Sequence, residues 1–356
     1  MADLNSTQFD IFSSAEMMNF GDIHLKHDPE SGLNAIIAIH NTNLGPALGG
    51  CRFVPYTSSS EAIYDAMQLA QGMSYKAAIA GLALGGGKSV IIQPKAIIDR
   101  KKLFSAFGRF VEDMNGRYIT AVDSGTSVED MDVIATQTKY VESTSEKGLA
   151  TGDPSPYTAL GVRRGIEAAV KTQFAKDSLD GIHIAIQGMG HVGYYLAKEL
   201  HQRGALLTYC DINRKNVERA QKEFGGTACS PEEIYDVSCD VFSPCALGGA
   251  INHNTIKRLQ TSVIVGAANN QLTSPEIGEE LHKLKILYAP DYVVNAGGLI
   301  QIAMANEEKI VKKINGIYDT VLNIFHLANQ QKQTTAEAAN QIAKQIIVKA
   351  GTKNAA

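Results

Sequence analysis

The chain has few cysteines, no long apolar run and no long basic run, and each shortage excludes a class of protein. Its five cysteines, Cys51, Cys210, Cys229, Cys239 and Cys245, are an odd number with no Cys-x-x-Cys spacing. Neither a disulfide framework nor a metal site is expected, and a reducing, cytoplasmic compartment fits better. No uninterrupted apolar stretch is long enough to span a bilayer, and the opening Met-Ala-Asp-Leu-Asn-Ser lacks a charged-then-apolar leader pattern. The formal charge of −4 is spread along the chain, which argues against a nucleic-acid footprint or a membrane-binding surface. No internal repeat or low-complexity tract is visible. What is there is an ordinary globular balance: 356 residues, 44% hydrophobic and 20% charged, enough for about two domains.

Strands alternate with helices along the first part. Residues 34–41 (NAIIAIHN) read as a strand, 61–80 (EAIYDAMQLAQGMSYKAAIA) as a helix, SVIIQP (89–94) as a buried strand, LFSAFGRFVEDM (103–114) as a helix and YITAVD (118–123) as a strand. Ser127-Val-Glu-Asp130 has the pattern of a capping box opening another helix. The polar stretch 144–157 (TSEKGLATGDPSPY) reads as a linker, and Thr158 to Phe174 as a helix leading into a second domain. From Ile182 come a strand (IHIAIQ), a glycine turn, a helix (VGYYLAKELHQRG) and a strand (ALLTYCD), with further strands at VFSP (241–244), SVIVGA (262–267) and ILYAPD (286–291). That is the cadence of a doubly wound parallel sheet. Glu307 to Val348 reads as helical.

Two motifs carry chemistry. Gly85-Gly86-Gly87-Lys88 follows Lys76 by twelve positions. Glycine lets a backbone approach a small ligand closely, and a lysine with a second ammonium nearby can lose its proton near neutral pH. One lysine would hold a carboxylate and the other transfer protons. Alone, Lys76 reads as a solvated helix lysine, and Lys88 as a surface charge after a glycine turn. Asp123 alone reads as a turn or capping aspartate. A phosphate-binding P-loop would follow a strand and open a helix; this run follows a helix and leads into a strand.

The second motif is Gly188-Met189-Gly190-His191-Val192-Gly193, between a strand and a helix. Its glycines suit a tight turn, approach of a pyrophosphate and helix–strand packing, and the helix N-terminus, with His191 and Val192, faces the phosphates. Asp211 follows Gly193 by eighteen residues, at the end of the next strand. A carboxylate there accepts from the ribose hydroxyls and repels a 2′-phosphate, which points to NAD rather than NADP.

Together these segments resemble the glutamate, leucine, phenylalanine and valine dehydrogenase family, and the leucine branch most of all. The shared stretches are GPALGGCRF (45–53), GMSYKAA (72–78), GLALGGGKSVII (81–92), NGRYITAVDSGTSVEDMD (115–132), DPSPYTALGV (153–162), the glycine turn, CDVFSPCALGG (239–249), AANNQL (267–272) and YAPDYVVNAGGLI (288–300). The resemblance implies a two-domain α/β fold with a cleft. Residues 1–148 would form the substrate-binding and oligomerisation domain, 149–330 the Rossmann NAD-binding domain, and 331–356 a C-terminal helix packing back toward the first. It makes Lys88 and Asp123 catalytic and Lys76 the partner of the substrate α-carboxylate. Leu48, Gly49, Ala121, Leu299 and Ile302 would surround the side chain, and Asn270 and Asn295 would sit by nicotinamide or substrate.

The implied reaction is reversible oxidative deamination of an apolar L-amino acid, branched-chain ones favoured, to a 2-keto acid and ammonia. It would be carried out by a homo-oligomer, octamer or dimer. Phenylalanine and tryptophan dehydrogenases share most of these motifs and are the alternative. From other classes, an inactive NAD-binding regulator would have lost one of Lys76, Lys88 or Asp123. A hydroxy-acid dehydrogenase would need a His–carboxylate pair, and His183 and His191 read as packing or surface residues.

Overall fold

The computed structural model describes residues 10–96, 99–146 and 153–354. It divides into two compact units, Met1–Gly152 with Ala343–Ala356, and Asp153–Ile342. The boundary expected at 148–149 lies outside the described residues. Among the described residues no helix is long and apolar enough to cross a membrane.

The first unit holds α1 (Ile11–Met18), β1 (Asp22–Asp28), β2 (Leu33–Asn41), β3 (Ala47–Val54), α2 (Ser59–Ile79), β4 (Gly85–Ile92), α3 (Arg100–Glu112), β5 (Tyr118–Val122) and α4 (Val128–Ala135). Its sheet runs β1-β2-β4-β3-β5. β1 and β4 pair antiparallel with β2, and β4 and β5 pair parallel with β3. β2 is buried on both faces. Leu33, Ile37 and Ile39 pack with Leu103, Phe104, Phe107, Met131 and Ile134 of α3 and α4, while Ile36 and Ala38 meet an alanine stripe on α2, Ala62, Ala66 and Ala70. The two-residue period of a strand serves both layers. Ser127 and Asp130 form the expected capping box.

The glycine run is not a turn before a strand. β4 begins at Gly85 and carries Lys88 inside it, and GPALGGCRF forms β3 beside it. Glycine-rich segments score poorly as strands, but here close packing requires them. A Cβ on Gly49 would fall 1.7 Å from the Gly87 carbonyl oxygen, and one on Gly86 would fall 2.0 Å from the Ser74 nitrogen of α2.

The second unit holds α5 (Ser155–Phe174), β6 (His183–Gln187), α6 (His191–His201), β7 (Leu206–Cys210), α7 (Arg214–Phe224), β8 (Thr227–Ala228), β9 (Val241–Pro244), β10 (Val263–Ile264), α8 (Pro275–Lys283), β11 (Leu287–Tyr288), α9 (Asp291–Val294), α10 (Gly297–Ala303), α11 (Glu307–Asn315), α12 (Ile317–Gln331) and the start of α13 (Thr335–Asn354). The linker reading ends three residues late, since α5 takes in Ser155 to Tyr157. All six strands are parallel, in the order β11-β10-β9-β6-β7-β8. That is the doubly wound arrangement, whose strand order reverses between β6 and β9. β10 and β11 are shorter than SVIVGA and ILYAPD suggest, two residues each. The last helical stretch is three helices, broken at Gly316 and at Lys332, whose φ is 53°. The end of α13 belongs with the first unit, where Asn43 Nδ2 donates to the Ile347 carbonyl at 3.2 Å.

Candidate active site

In the first unit, strand alternation places Gly86, Lys88 and Val90 on the face of β4 that α2 covers, and Val90 packs in the α2 cluster. Lys88 is 7% exposed, and its ammonium donates to Asp123 Oδ2. Asp123 stands one residue beyond β5 in a rigid turn. Its N–H donates to Thr126 Oγ1 at 2.9 Å, and the Thr126 N–H donates back to its carbonyl at 3.0 Å. β3 lies between the strands that carry the two charges. Gly50 stands at the crossing, where a Cβ would come 2.7 Å from Asp123 Cβ. Without that side chain Lys88 reaches across β3. Burial acts to raise the Asp123 carboxyl, but the Lys88 charge and hydrogen bond, the Ser124 backbone and Arg52 together hold it below its ordinary 3.8. A carboxylate and an amine in direct contact are within reach for proton transfer.

Lys76 lies in the last turn of α2, two residues after Ser74, which touches Gly86. Leu48 is buried on β3 opposite Gly86, and Ala121 is half-buried on β5 opposite Gly50. Gly49 acts through its backbone: its carbonyl accepts the hydroxyl of buried Tyr118 at 2.5 Å.

Arg52 was missed in the sequence. It is two residues beyond Gly50 on β3, its Nη1 donates to Asp65 Oδ2 at 2.8 Å, and its Nε lies 4.0 Å from Asp123 Oδ2. The signal was in GPALGGCRF: read as a strand, the motif puts Gly50 and Arg52 on one face.

In the second unit, Gly188 has φ +97°, and a Cβ there would meet Ala246 at 2.8 Å. A Cβ on Gly193 would fall 2.0 Å from the Gly188 carbonyl oxygen, whereas one on Gly190 would meet nothing within 4 Å. Gly190 is the N-cap of α6 and offers no side-chain acceptor. The first N–H groups of His191, Val192 and Gly193 are thus free of a side-chain cap, an anion cradle beside open space. Asp211 is fixed at the tip of β7 by two backbone donors, Met189 N–H to Oδ2 and Asn213 N–H to Oδ1, each 2.7 Å. Carboxylate oxygens have further lone pairs for a ribose hydroxyl. His191 is exposed, with Nδ1 3.5 Å from Asp153 Oδ2. The residues present therefore fit a dinucleotide.

Asn270 is exposed in the left-handed region, φ 53°. Buried Asn295 donates to the Ala267 carbonyl at 3.0 Å and to Asn269 Oδ1 at 2.7 Å, while its own Oδ1 has no hydrogen-bond partner among the described residues. Leu299 and Ile302 stand three apart on α10, both half-buried.

Two family models match the chain. Residues 18–140 match the Glu/Leu/Phe/Val dehydrogenase dimerisation domain, and residues 206–354 match glutamate/leucine/phenylalanine/valine dehydrogenase. The chain belongs to the Glu/Leu/Phe/Val dehydrogenase family. This amino-acid dehydrogenase is 49% identical over 341 residues to leucine dehydrogenase of Thermoactinomyces intermedius, covering 95% of this chain and 93% of the relative. It is 44% identical over 340 residues to L-tryptophan dehydrogenase of Nostoc punctiforme, covering 94% and 95%. The crystal structure of L-tryptophan dehydrogenase from Nostoc punctiforme superposes with a TM-score of 0.87 at 42% identity, covering 96% of this chain and 99% of that one. The family and the two-domain α/β fold expected from the motifs are thus borne out.

Proposed function

We propose that this dehydrogenase carries out the reversible, NAD-dependent oxidative deamination of an apolar L-amino acid, branched-chain ones first. The observation that carries the chemistry is the Lys88–Asp123 ion pair, its lysine buried and its carboxylate half-buried. Lys76 holds the substrate α-carboxylate. NAD, when bound, accepts the hydride of the amino-acid Cα. Lys88, as the free amine, takes a proton from the water that adds to the imine carbon, and Asp123 relays protons to the departing nitrogen. The C–N bond of the carbinolamine then breaks, releasing ammonia and leaving the 2-keto acid. In sum, amino acid, NAD⁺ and water give 2-keto acid, ammonium, NADH and a proton.

Leu48, Ala121, Leu299 and Ile302 are apolar, and a glutamate side chain among them would be desolvated without a partner. Gly188, Gly190, His191, Val192 and Gly193 would cradle the pyrophosphate, Asp211 would take the ribose, and Asn270 and Asn295 the nicotinamide end. The free Oδ1 of Asn295 supports that last role. The carboxylate of Asp211 favours NAD over NADP, which a comparative titration with NADH and NADPH checks. Aromatic substrates are the second reading, favoured by the likeness to the tryptophan enzyme; pocket shape alone discriminates by only about 1–3 kcal/mol per methylene. We also propose a cytoplasmic homo-oligomer, octamer or dimer, which sedimentation equilibrium distinguishes.

The deciding assay follows NADH oxidation with the 2-keto acids of leucine, valine, phenylalanine, tryptophan and glutamate, with and without ammonia. We expect oxidation only with ammonia and fastest turnover with the branched-chain acids. Equal rates without ammonia would sink the amino-acid reading, and preference for the glutamate analogue would sink the apolar pocket.

A further inference from the structure

Arg52 is anchored at one end and open at the other. Its Nη1 donates to Asp65 Oδ2 at 2.8 Å, and the Tyr56 hydroxyl donates to the same oxygen at 2.5 Å. Its Nε is buried and has no hydrogen-bond acceptor among the described residues, yet it stands 4.0 Å from Asp123 Oδ2, the oxygen that takes the Lys88 hydrogen bond. A buried donor left without an acceptor calls for an explanation in the chemistry around it.

The proposed reaction supplies one. For Lys88 to act as a base it must pass through its uncharged form, and at that stage Asp123 loses the counter-charge that holds it ionised in a buried place. Arg52 cannot follow, because guanidinium keeps its proton throughout the working pH range. We propose that Arg52, tethered by Asp65 and Tyr56, is a positioning residue that supplies a permanent counter-charge to Asp123 and closes on it when Lys88 gives up its proton. This rests on the assignment of Lys88 and Asp123 as the proton-transfer pair.

Two consequences follow from Coulomb's law. A fixed cation beside the pair keeps the shared proton off Asp123, and it disfavours a second positive charge on Lys88. The second effect favours the reactive free amine as pH rises, and the first keeps Asp123 ready to take up a proton. The other ionisable groups around the pair do not compete. Burial pushes the Cys51 thiol up to about 12. Burial also pushes the Tyr118 hydroxyl above the ordinary phenol range, and burial with Asp65 does the same for Tyr56. Arg100 is engaged with Asp130 on the other side of β3, donating at 2.7 Å. Lys76, further along α2, is assigned to the substrate carboxylate. The charge balance at Asp123 thus lies with Lys88 and Arg52, and Asp65 sets where Arg52 sits.

The test is the pH profile of kcat/KM for oxidative deamination in the full-length enzyme, read for Arg52→Met, Arg52→Lys, Asp65→Asn and Tyr56→Phe. Arg52→Met should move the ascending limb to higher pH by roughly one unit and lower the rate at pH 8 about tenfold. Arg52→Lys, which keeps the charge, should recover most of the shift. Tyr56→Phe, which loosens only the tether, should shift it the same way by less. Asp65→Asn should do likewise, and both serve if Arg52→Met does not fold. A profile in Arg52→Met superimposable on that of the parent, at any height, would overturn the inference; so would an equal shift in Arg52→Lys and Arg52→Met. Lys88→Ala and Asp123→Asn separate this from the reading beneath it. If either turns over normally, the proton-transfer pair itself is wrong. If both fail while the Arg52 profiles stay in place, only the role of Arg52 falls.

Discussion

The two units prepare for their ligands by opposite means. In the first, the site is built from side-chain charges already joined to one another. Lys88 meets Asp123 across β3, Asp123 is locked by Thr126, and Arg52 is tied back to Asp65. In the second, the site is built from backbone, with three glycines at the end of β6 and a helix N-terminus that no side chain caps. The difference follows from the work. Proton transfer needs groups whose charge can change, held within bonding distance. A pyrophosphate needs fixed donors and room to come close. A site of the first kind is sensitive to charge and pH; one of the second kind is sensitive to a single added methyl group.

The largest effect should come from separating the two functions. Lys88→Ala removes the proton-transfer amine, and general acid–base help is worth ~10²–10⁴-fold in rate; we expect kcat to fall by about that while NADH binding, read by fluorescence titration, is unchanged. Gly50→Ala should give a milder version, because the new methyl meets Asp123 Cβ at 2.7 Å and pushes the carboxylate from Lys88. Near-normal turnover in Lys88→Ala would remove the contrast between the units.

The reverse experiment uses the glycines. At Gly193 a methyl group would run into the Gly188 carbonyl, whereas at Gly190 it enters open space. Gly193→Ala should therefore lower stability by about 1–3 kcal/mol and weaken NADH binding. Gly190→Ala should leave the melting temperature close to that of the parent and weaken NADH binding alone. Equal melting temperatures for the two variants would show that the loop relaxes freely.

The smallest effect is in acid. The folded-state pKa of Asp123 lies below its ordinary 3.8, so between those two values the unfolded chain binds the extra proton. The stabilisation from this group is fully present above about pH 4 and is lost as pH falls through the folded value. Melting temperature measured from pH 6 downward should therefore drop less steeply below pH 4 in Asp123→Asn than in the parent. An equally steep acid limb in both would mean that the pair adds nothing to stability.

Much of this was legible in local patterns. The six-residue glycine fingerprint, the capping box at Ser127 and the alternation of NAIIAIHN are signals that one segment carries by itself, and each element stands where it was read. β3 and the start of β4 were not legible. Their glycines lower strand propensity and show their value only when the neighbouring backbone is known. Gly49 is needed because Gly87 is beside it, and Gly86 because Ser74 of α2 is beside it. Arg52 was hidden for the same reason: a residue on an unread strand has no face.

The residue types, the two-unit plan and the family are properties of the linear order, since they rest on spacing along one chain. Tertiary structure alone decided which charges meet. Lys88 and Asp123 are thirty-five positions apart, and no local pattern relates them. The order β4-β3-β5, with a glycine at the crossing, makes them neighbours, and the same strand turns Arg52 toward them. Coulomb interactions act over a few ångströms and take no account of sequence distance, so the chemistry of this site belongs to the sheet rather than to any one motif.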